Sequence, residues 1–562
     1  MRTAGLHSMG RTKAPSPRDG NNGTSTSQSG CTNERRVMNT TDDTTQIKIP
    51  GTPEMASPAA LDNPKADLAA LEDLERHLFA HRFAQAGINS FNGSINPPKA
   101  SRDSGEVLAI LEQEDHELLC SEATGAMLQR LSGHRELLTD TQNAQVKILM
   151  RDRAAIVDVP AEEQAAFTRL TNESFDVWQK AKVGNDWASF EPYLDRIVEA
   201  MRTIAGYKNA SADPYDVWLD ENEHGTDRAF YDSFFSQVKE VVVPLLADVI
   251  ASGRQPSKRM FEGKFDEQRQ WALARDLIEL EGLDKDKMLL TKTEHPFSDA
   301  LTTNYGIIAS HVHEDDILSN VYSMLHEGGH ALYETEGNPA FDYTSLKGGT
   351  SAGMHESQSR FFENYVGRSE AFAPTLLHAM RKHFPGQMNR VTARQLFMAA
   401  NRAEPGLIRT EADELTYPLH VLIRYEIEQL LMSGEAHASD VPKLWRDRYK
   451  AYLGIRVPND TKGALQDVHW SQGAIGYFPT YAVGSAYGAQ FLAAMERSRI
   501  DFDLLLSRGD LAPIRAWLKD NIWRHGRSKD SADIIRDACG EEFSATYYTD
   551  YLVKKYSAIY GL

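Results

Sequence analysis

Apolar residues recur at threes and fours along most of the chain. Leu68, Leu71, Leu74, Leu78 and Phe79 open the pattern just after Asp67, and that spacing lines one face of a helix. Residues 91–105 interrupt it with Phe91-Asn92-Gly93, Pro97-Pro98 and Gly105, the residue types that punctuate helices. Helical periods resume over Glu106–Leu131, Glu136–Val157, Ala161–Lys182, Phe190–Ile204 and Phe230–Ser252, the last preceded by the acidic loop Asp220–Asp227. A connector through Ser257–Phe261 and Lys264–Asp266 leads to a further helix around Gln268–Leu280. Strand signals concentrate in Asp284–Thr303, which predicts a short sheet, and after about residue 370 the pattern reads as long helices to the end. No repeat of solenoid length and no strong linker divides residues 100–562. The expectation is a mainly α fold with a small β element, in a single domain over residues 55–562.

Residues 1–54 stand apart. They are rich in Ser, Thr, Asn and Gly and lack apolar periodicity, which predicts a disordered N-terminal extension. Arg2, Arg11, Lys13, Arg18, Arg35 and Arg36 give it a basic bias, with neither the amphipathic helix nor the apolar core of a targeting segment. A transit peptide, or translation starting at Met38 or Met55, stays open as its origin.

Composition narrows the function classes. The chain has 562 residues, 41% of them hydrophobic, enough for a sizeable core. Lys and Arg number 61 against 80 Asp and Glu, a net charge of −19, which argues against nucleic acid or an anionic membrane as the main partner. Cys31, Cys120 and Cys539 show neither metal-ligand nor disulfide spacing. A reducing, cytoplasmic setting is therefore expected. No apolar run approaches the ~20 residues of a membrane span.

The candidate chemistry lies in Ser323–Glu334, which contains His326-Glu327-Gly328-Gly329-His330. On a helix, residues four apart share a face, so His326 and His330 can share one metal while Glu327 sits beside it. Asp315 and Asp316 can cap the start of this helix, and Gly337 followed by Pro339 stops it. Two glycines inside a helix cost about 1 kcal/mol each against alanine, which suggests that a backbone or a ligand comes close to Gly328 and Gly329. A catalytic zinc takes three protein ligands and keeps a position for water. The third ligand is sought in Ser351–Arg360, after the Gly348-Gly349 turn, where His355 and Glu356 are both eligible. His311 and His313 read as loop or cap residues.

These motifs, with several others in order, resemble the carboxypeptidase Taq (M32) family. His-Glu-Ser-Gln-Ser at 355–359, His295-Pro296-Phe297, Ile408-Arg409-Thr410-Glu411-Ala412-Asp413 and Gly463–Trp470 (Gly-x-x-Gln-Asp-x-His-Trp) are all similar to family motifs. So are Gly476–Tyr481 and Asn521–Gly526, and the resemblance spans roughly residues 106–562. It implies a large helical, saddle-like body with a deep groove, a gluzincin similar to helical oligopeptidases. It implies Zn²⁺, with Co²⁺ as an alternative, on His326, His330 and Glu356, and Glu327 as general base on a metal-bound water. Arg409 would take the substrate's terminal carboxylate. His469, with Tyr477 or Tyr481, would face the scissile carbonyl, and His355 would orient Glu356 or line the groove. Members are usually homodimers acting on peptides.

Two departures stand out. Leu301 occupies the place of the Arg in the family's Asp-x-Arg-x-Thr pattern, so Arg409 would carry more of the substrate anchoring. The family's N-terminal Trp-Asp-rich stretch is replaced by Asn89–Pro98. Read without the resemblance, Arg409 can instead pair with Asp413 four residues on, and Tyr477 and Tyr481 can be a core stripe. Three functions are distinguished: a metallocarboxypeptidase, a groove-forming endo-oligopeptidase, and a helical scaffold that keeps zinc structurally. The intact Glu327 disfavours the last, because a structural site needs no base.

Overall fold

Helices account for most of the secondary structure of the computed structural model, which describes residues 64–94, 96–97, 100–293 and 296–562. The N-terminal extension, the expected boundary at residue 55 and His295 lie outside the described residues. The first four helices, Pro64–Ser94, Ala100–Cys120, Glu122–Gly133 and Asp140–Ala154, share a small core built on Leu71, Leu74, Leu128, Leu131 and Val146. A second, far larger core runs through the chain from Val159 to Tyr560.

Several boundaries differ from the sequence reading. The first helix runs through Phe91-Asn92-Gly93 to Ser94, so the break before Ala100 is shorter than predicted. The helix predicted over Glu106–Leu131 is two helices, because the Ser121 hydroxyl accepts a hydrogen bond from the Thr124 N–H and caps a new start. After residue 370 only Tyr417–Ser433, Phe478–Arg497 and Thr546–Tyr560 are long, and the others are short pieces.

The predicted sheet exists and has three strands, β1 (Met288–Lys292), β2 (Phe297–Thr302) and β3 (Tyr305–Ser310), in the order β1-β3-β2. β3 pairs parallel with β1 and antiparallel with β2, with Ser298 opposite Ile308. β3 is the central strand and almost wholly buried. A short apolar run of that kind carries no alternation to mark it, and the strand signals in the sequence stop before it.

The helix carrying the His-Glu-x-x-His motif spans Ile317–Thr335 and is buried along most of its length. Asp316 caps it, accepting from the Ser319 N–H at 3.1 Å. β2, β3, the Glu267–Glu281 helix and the next helix in the chain, Ala352–Arg360, all pack against it. The last of these returns after a loop and crosses at Gly329, where an added Cβ would lie 2.4 Å from the Gln358 carbonyl oxygen. At Gly328 it would meet the buried Glu281 carboxyl instead. The two glycines thus let a neighbouring backbone and a buried side chain reach the motif.

Candidate metal centre

The motif helix and the return helix bring three donors to one point. His326, His330 and Glu356 each offer an atom, all within 4.8 Å of one another. Glu356 Oε2 lies 3.8 Å from His326 Nε2 and 3.5 Å from His330 Nε2. Two imidazole nitrogens and one carboxylate oxygen form a donor set that suits a divalent transition metal with a position left open. Both histidines already present Nε2 to this point, because each Nδ1 is engaged behind it.

For His326 the partner is Glu363, whose Oε2 lies 3.0 Å from Nδ1. Glu363 sits on a π-helical turn, Phe361–Gly367, that continues the return helix. For His330 the partner is His355, Nδ1 to Nδ1 at 2.6 Å, and His355 Nε2 in turn meets Glu334 Oε1 at 2.9 Å. With Nε2 of His330 facing the donor cluster, its Nδ1–H donates to His355 Nδ1 and the His355 Nε2–H donates to Glu334. One arrangement of protons satisfies the whole chain. Glu334 is held from its other side by Lys347 Nζ at 2.7 Å and the Gly349 N–H at 3.1 Å.

Glu356 is prepared to offer one oxygen. Arg360 Nε donates to its Oε1 at 2.7 Å, while Oε2 faces the imidazoles. Arg360 Nη1 also reaches Glu363 Oε2 at 3.0 Å, and Arg368 Nη2 holds Glu363 Oε1 at 3.0 Å. Burial opposes ionisation of Glu356 and Glu363, but Arg360 and His326, joined by His330 at Glu356 and Arg368 at Glu363, together outweigh it and both carboxyls lie well below the usual range. Burial pushes Glu327 the other way, upward, against the pull of His326. The Ser298 hydroxyl on β2 faces Glu327 without closing a well-formed hydrogen bond.

The remaining expected residues lie on irregular connectors and at the start of the Phe478–Arg497 helix. His469 opens a short turn, His469–Gln472, and its Nε2 is 3.1 Å from the Tyr481 hydroxyl. Burial, then the Arg409 charge, depress His469 to about 3, so its imidazole is neutral. Tyr477 and Tyr481 stand edge to face with ring centroids 5.3 Å apart, and both feel the Glu356 charge. Arg409 is 5% exposed. Its Nε donates to Asp467 Oδ1 at 3.0 Å and its Nη1 to the Tyr417 hydroxyl at 3.0 Å.

The alternative partner for Arg409, Asp413, is not the one it has. Asp413 accepts from the backbone N–H groups of Glu404, Leu415 and Thr416, because Arg409 points away along a tight turn, Arg409–Glu411, that is not an α-helix. Nη2 is the guanidinium nitrogen outside these bonds. Leu301, where the family pattern carries Arg, is 5% exposed and belongs to the core. His355 has both ring nitrogens engaged by protein groups, so it braces His330 and has no ring nitrogen left for a substrate in this arrangement.

Sequence reasoning missed Arg360, Glu363, Tyr417 and the Glu334–Lys347 pair. Arg360 had a usable signal, standing four residues beyond Glu356 on one helical face. Glu363 and Tyr417 had no local signal. Tyr417 lies under two guanidinium groups, with Arg360 Cζ 4.2 Å and Arg409 Cζ 6.0 Å from its ring centre.

Comparison with known proteins agrees with the motifs. The pattern of the carboxypeptidase Taq (M32) metallopeptidases matches residues 74–556. Carboxypeptidase 1 of Bacillus subtilis is 35% identical over 466 residues, 83% of this chain and 93% of that protein. The crystal structure of an M32 carboxypeptidase from Deinococcus radiodurans superposes with a TM-score of 0.86 at 33% identity, covering 88% of this chain and 100% of that one. Metallocarboxypeptidase 1 of Trypanosoma cruzi gives 0.84 at 30% identity, over 88% of this chain and 100% of that one.

Proposed function

Because this chain belongs to the carboxypeptidase Taq (M32) metallopeptidase family, we propose that it removes C-terminal residues from peptides with Zn²⁺ held by His326, His330 and Glu356. What supports the ligand set most is the common point reached by their three donor atoms, each braced from behind. Bound there, the ion would polarise the scissile carbonyl and lower the pKa of a water.

The chain's own residues would do the rest. Glu327, next to His326 and not one of the three donors, takes a proton from the attacking water. The water oxygen bonds to the carbonyl carbon, the C–N bond breaks, and Glu327 passes the proton to the leaving amine. Tyr477, Tyr481 and neutral His469 would supply hydrogen bonds that stabilise negative charge on the carbonyl oxygen. Arg409 recognises the terminal carboxylate through Nη2. Asp467 and Tyr417 already take the Nε–H and one N–H of Nη1, so the contact is a charge-assisted bond from the N–H groups left over at the Nη end.

The test is kcat/KM for one peptide with a free and with an amidated C-terminus, in wild type and Arg409→Ala at equal metal occupancy. A charge-assisted bond is worth ~1.5–3 kcal/mol, or roughly 10- to 150-fold. The variant should lose that much on the free peptide and little on the amidated one, which wild type cleaves poorly. Equal cleavage of both peptides by wild type would make the enzyme an endo-oligopeptidase. Discrimination unchanged in the variant would remove Arg409 from the carboxylate site.

A further inference from the structure

Residues 463–477 carry His469 and lead into Tyr477, yet apart from one short turn they form neither helix nor strand. Without a ladder of backbone bonds, their position depends on side chains that reach them from elsewhere. Two such side chains stand on one helix, Tyr417–Ser433, and are one turn apart on the same face. Arg424 donates from Nε and Nη2 to Asp467 Oδ2 at 2.9 and 2.7 Å. Glu428 accepts from Trp470 Nε1 at 2.8 Å on Oε1, and from the Gly476 N–H at 3.0 Å on Oε2.

The first contact falls two residues before His469. The second pair falls just after it and just before Tyr477. Gly476 has φ +84°, and a Cβ there would lie 3.0 Å from the Trp218 backbone, so its N–H is held in one direction by a conformation that suits glycine.

We infer that Glu428 is a positioning residue for the reaction, fixing His469 and Tyr477 toward the substrate by clamping the two ends of the segment between them. The chemistry of the contact supports more than a packing role. Glu428 is fully buried, and burying a carboxyl is unfavourable unless its lone pairs are filled. Three donors from two separate parts of the chain fill them, Trp470 and Gly476 from the segment and the Tyr215 hydroxyl at 2.8 Å on Oε2. A carboxylate accepts at both oxygens. An amide accepts at one only, so it cannot hold Trp470 and Gly476 together. This inference rests on the reading of His469 and Tyr477 as groups that act on the substrate.

The experiment compares Glu428→Gln with Tyr215→Phe, which removes the third donor and leaves both segment contacts in place. Glu428→Gln keeps the shape of the side chain but leaves either Trp470 Nε1 or the Gly476 N–H without an acceptor. It should lower kcat roughly 10- to 100-fold, the scale of a misplacement near 1 Å, with KM changed about two-fold at most and bound metal per chain unchanged. Tyr215→Phe should keep kcat within about two-fold whatever its melting temperature. If Glu428→Gln does not fold, Trp470→Phe releases one arm of the clamp while keeping an aromatic ring, and its kcat should fall in the same way. Equal melting losses with kcat retained in the Glu428 or Trp470 variant would overturn the inference and leave a structural tie. His469→Gln separates the two readings. If it too keeps full kcat, His469 does not act on the substrate; if it loses kcat while Glu428→Gln does not, only the clamp is wrong.

Discussion

At Gly329, helix propensity and packing predict opposite outcomes. Propensity alone would reward Gly329→Ala by about 1 kcal/mol. The new methyl would instead sit 2.4 Å from the Gln358 carbonyl oxygen and 2.8 Å from Ser359 Cα, which are backbone atoms that cannot turn aside. The return helix would have to retreat, carrying Glu356 away from His330. Overpacking of this kind costs about 1–3 kcal/mol, so Gly329→Ala should melt lower than wild type and bind less metal. Gly328→Ala meets the tip of the Glu281 side chain and should keep more of its metal. Melting temperature and bound metal for the two variants check this, and a gain of stability in Gly329→Ala would contradict it. Glu428 offers a second prediction at this scale. Burial raises its pKa to about 7, against the pull of Trp470, Gly476, Tyr215 and the Arg424 charge. A folded-state value above the unfolded one means that stability is fully present below pH ~4.5 and is lost as pH rises through ~7. The loss is on the order of 3 kcal/mol. Wild type should therefore lose stability relative to Glu428→Gln across that window in denaturant titrations, and parallel curves would refute the shift.

At the scale of elements, the legible and illegible parts divide by whether a contact is local. The motif helix is legible throughout: Asp316 at its cap, two histidines one turn apart, and glycines that announce a close neighbour. The sheet is half legible, because β1 and β2 carry strand signals while β3 is a featureless buried run. The return helix is marked by its preceding glycines, and Ser351 caps it by accepting from the Met354 N–H. Contacts between distant segments cannot be read in this way. Glu75 on the first helix accepts from the Ser345 N–H at 2.6 Å and its hydroxyl at 2.7 Å. That bond ties the small N-terminal core to the loop between the helices that carry His326, His330 and Glu356, 270 residues away. No periodicity encodes such a pairing. The same holds for Glu363 behind His326 and for Glu428 behind Trp470. The family motifs locate Arg409, His469, Tyr477 and Tyr481 on the chain, but they do not show that Arg409 is already half engaged by Asp467 and Tyr417.

For the whole molecule, the arrangement around the metal centre argues that the fold does not depend on the ion. The motif and return helices touch backbone to backbone at Gly329, and the larger core extends far beyond them. Glu356 and the carboxylates that brace the two histidines have cations of their own: Arg360 on Glu356, Arg360 and Arg368 on Glu363, and Lys347 on Glu334. Removing the ion therefore leaves no buried carboxylate of this group unpaired, the condition that makes loss of a partner costly. Binding to the folded chain alone still adds stability by mass action, about 2.7 kcal/mol at a free metal concentration 100-fold above Kd. Chelation should accordingly abolish peptide hydrolysis, leave the far-ultraviolet helical signal unchanged and lower the melting temperature by a few degrees. That drop should shrink as less metal is supplied to the untreated protein, and re-addition of Zn²⁺ should restore both activity and melting temperature. The checks are circular dichroism, calorimetry and peptide hydrolysis on one sample carried through removal and return. Collapse of the helical signal on chelation would show that the ion organises the fold, as in small zinc domains, and that the cation pairs around the three ligands are not sufficient to hold the two helices together.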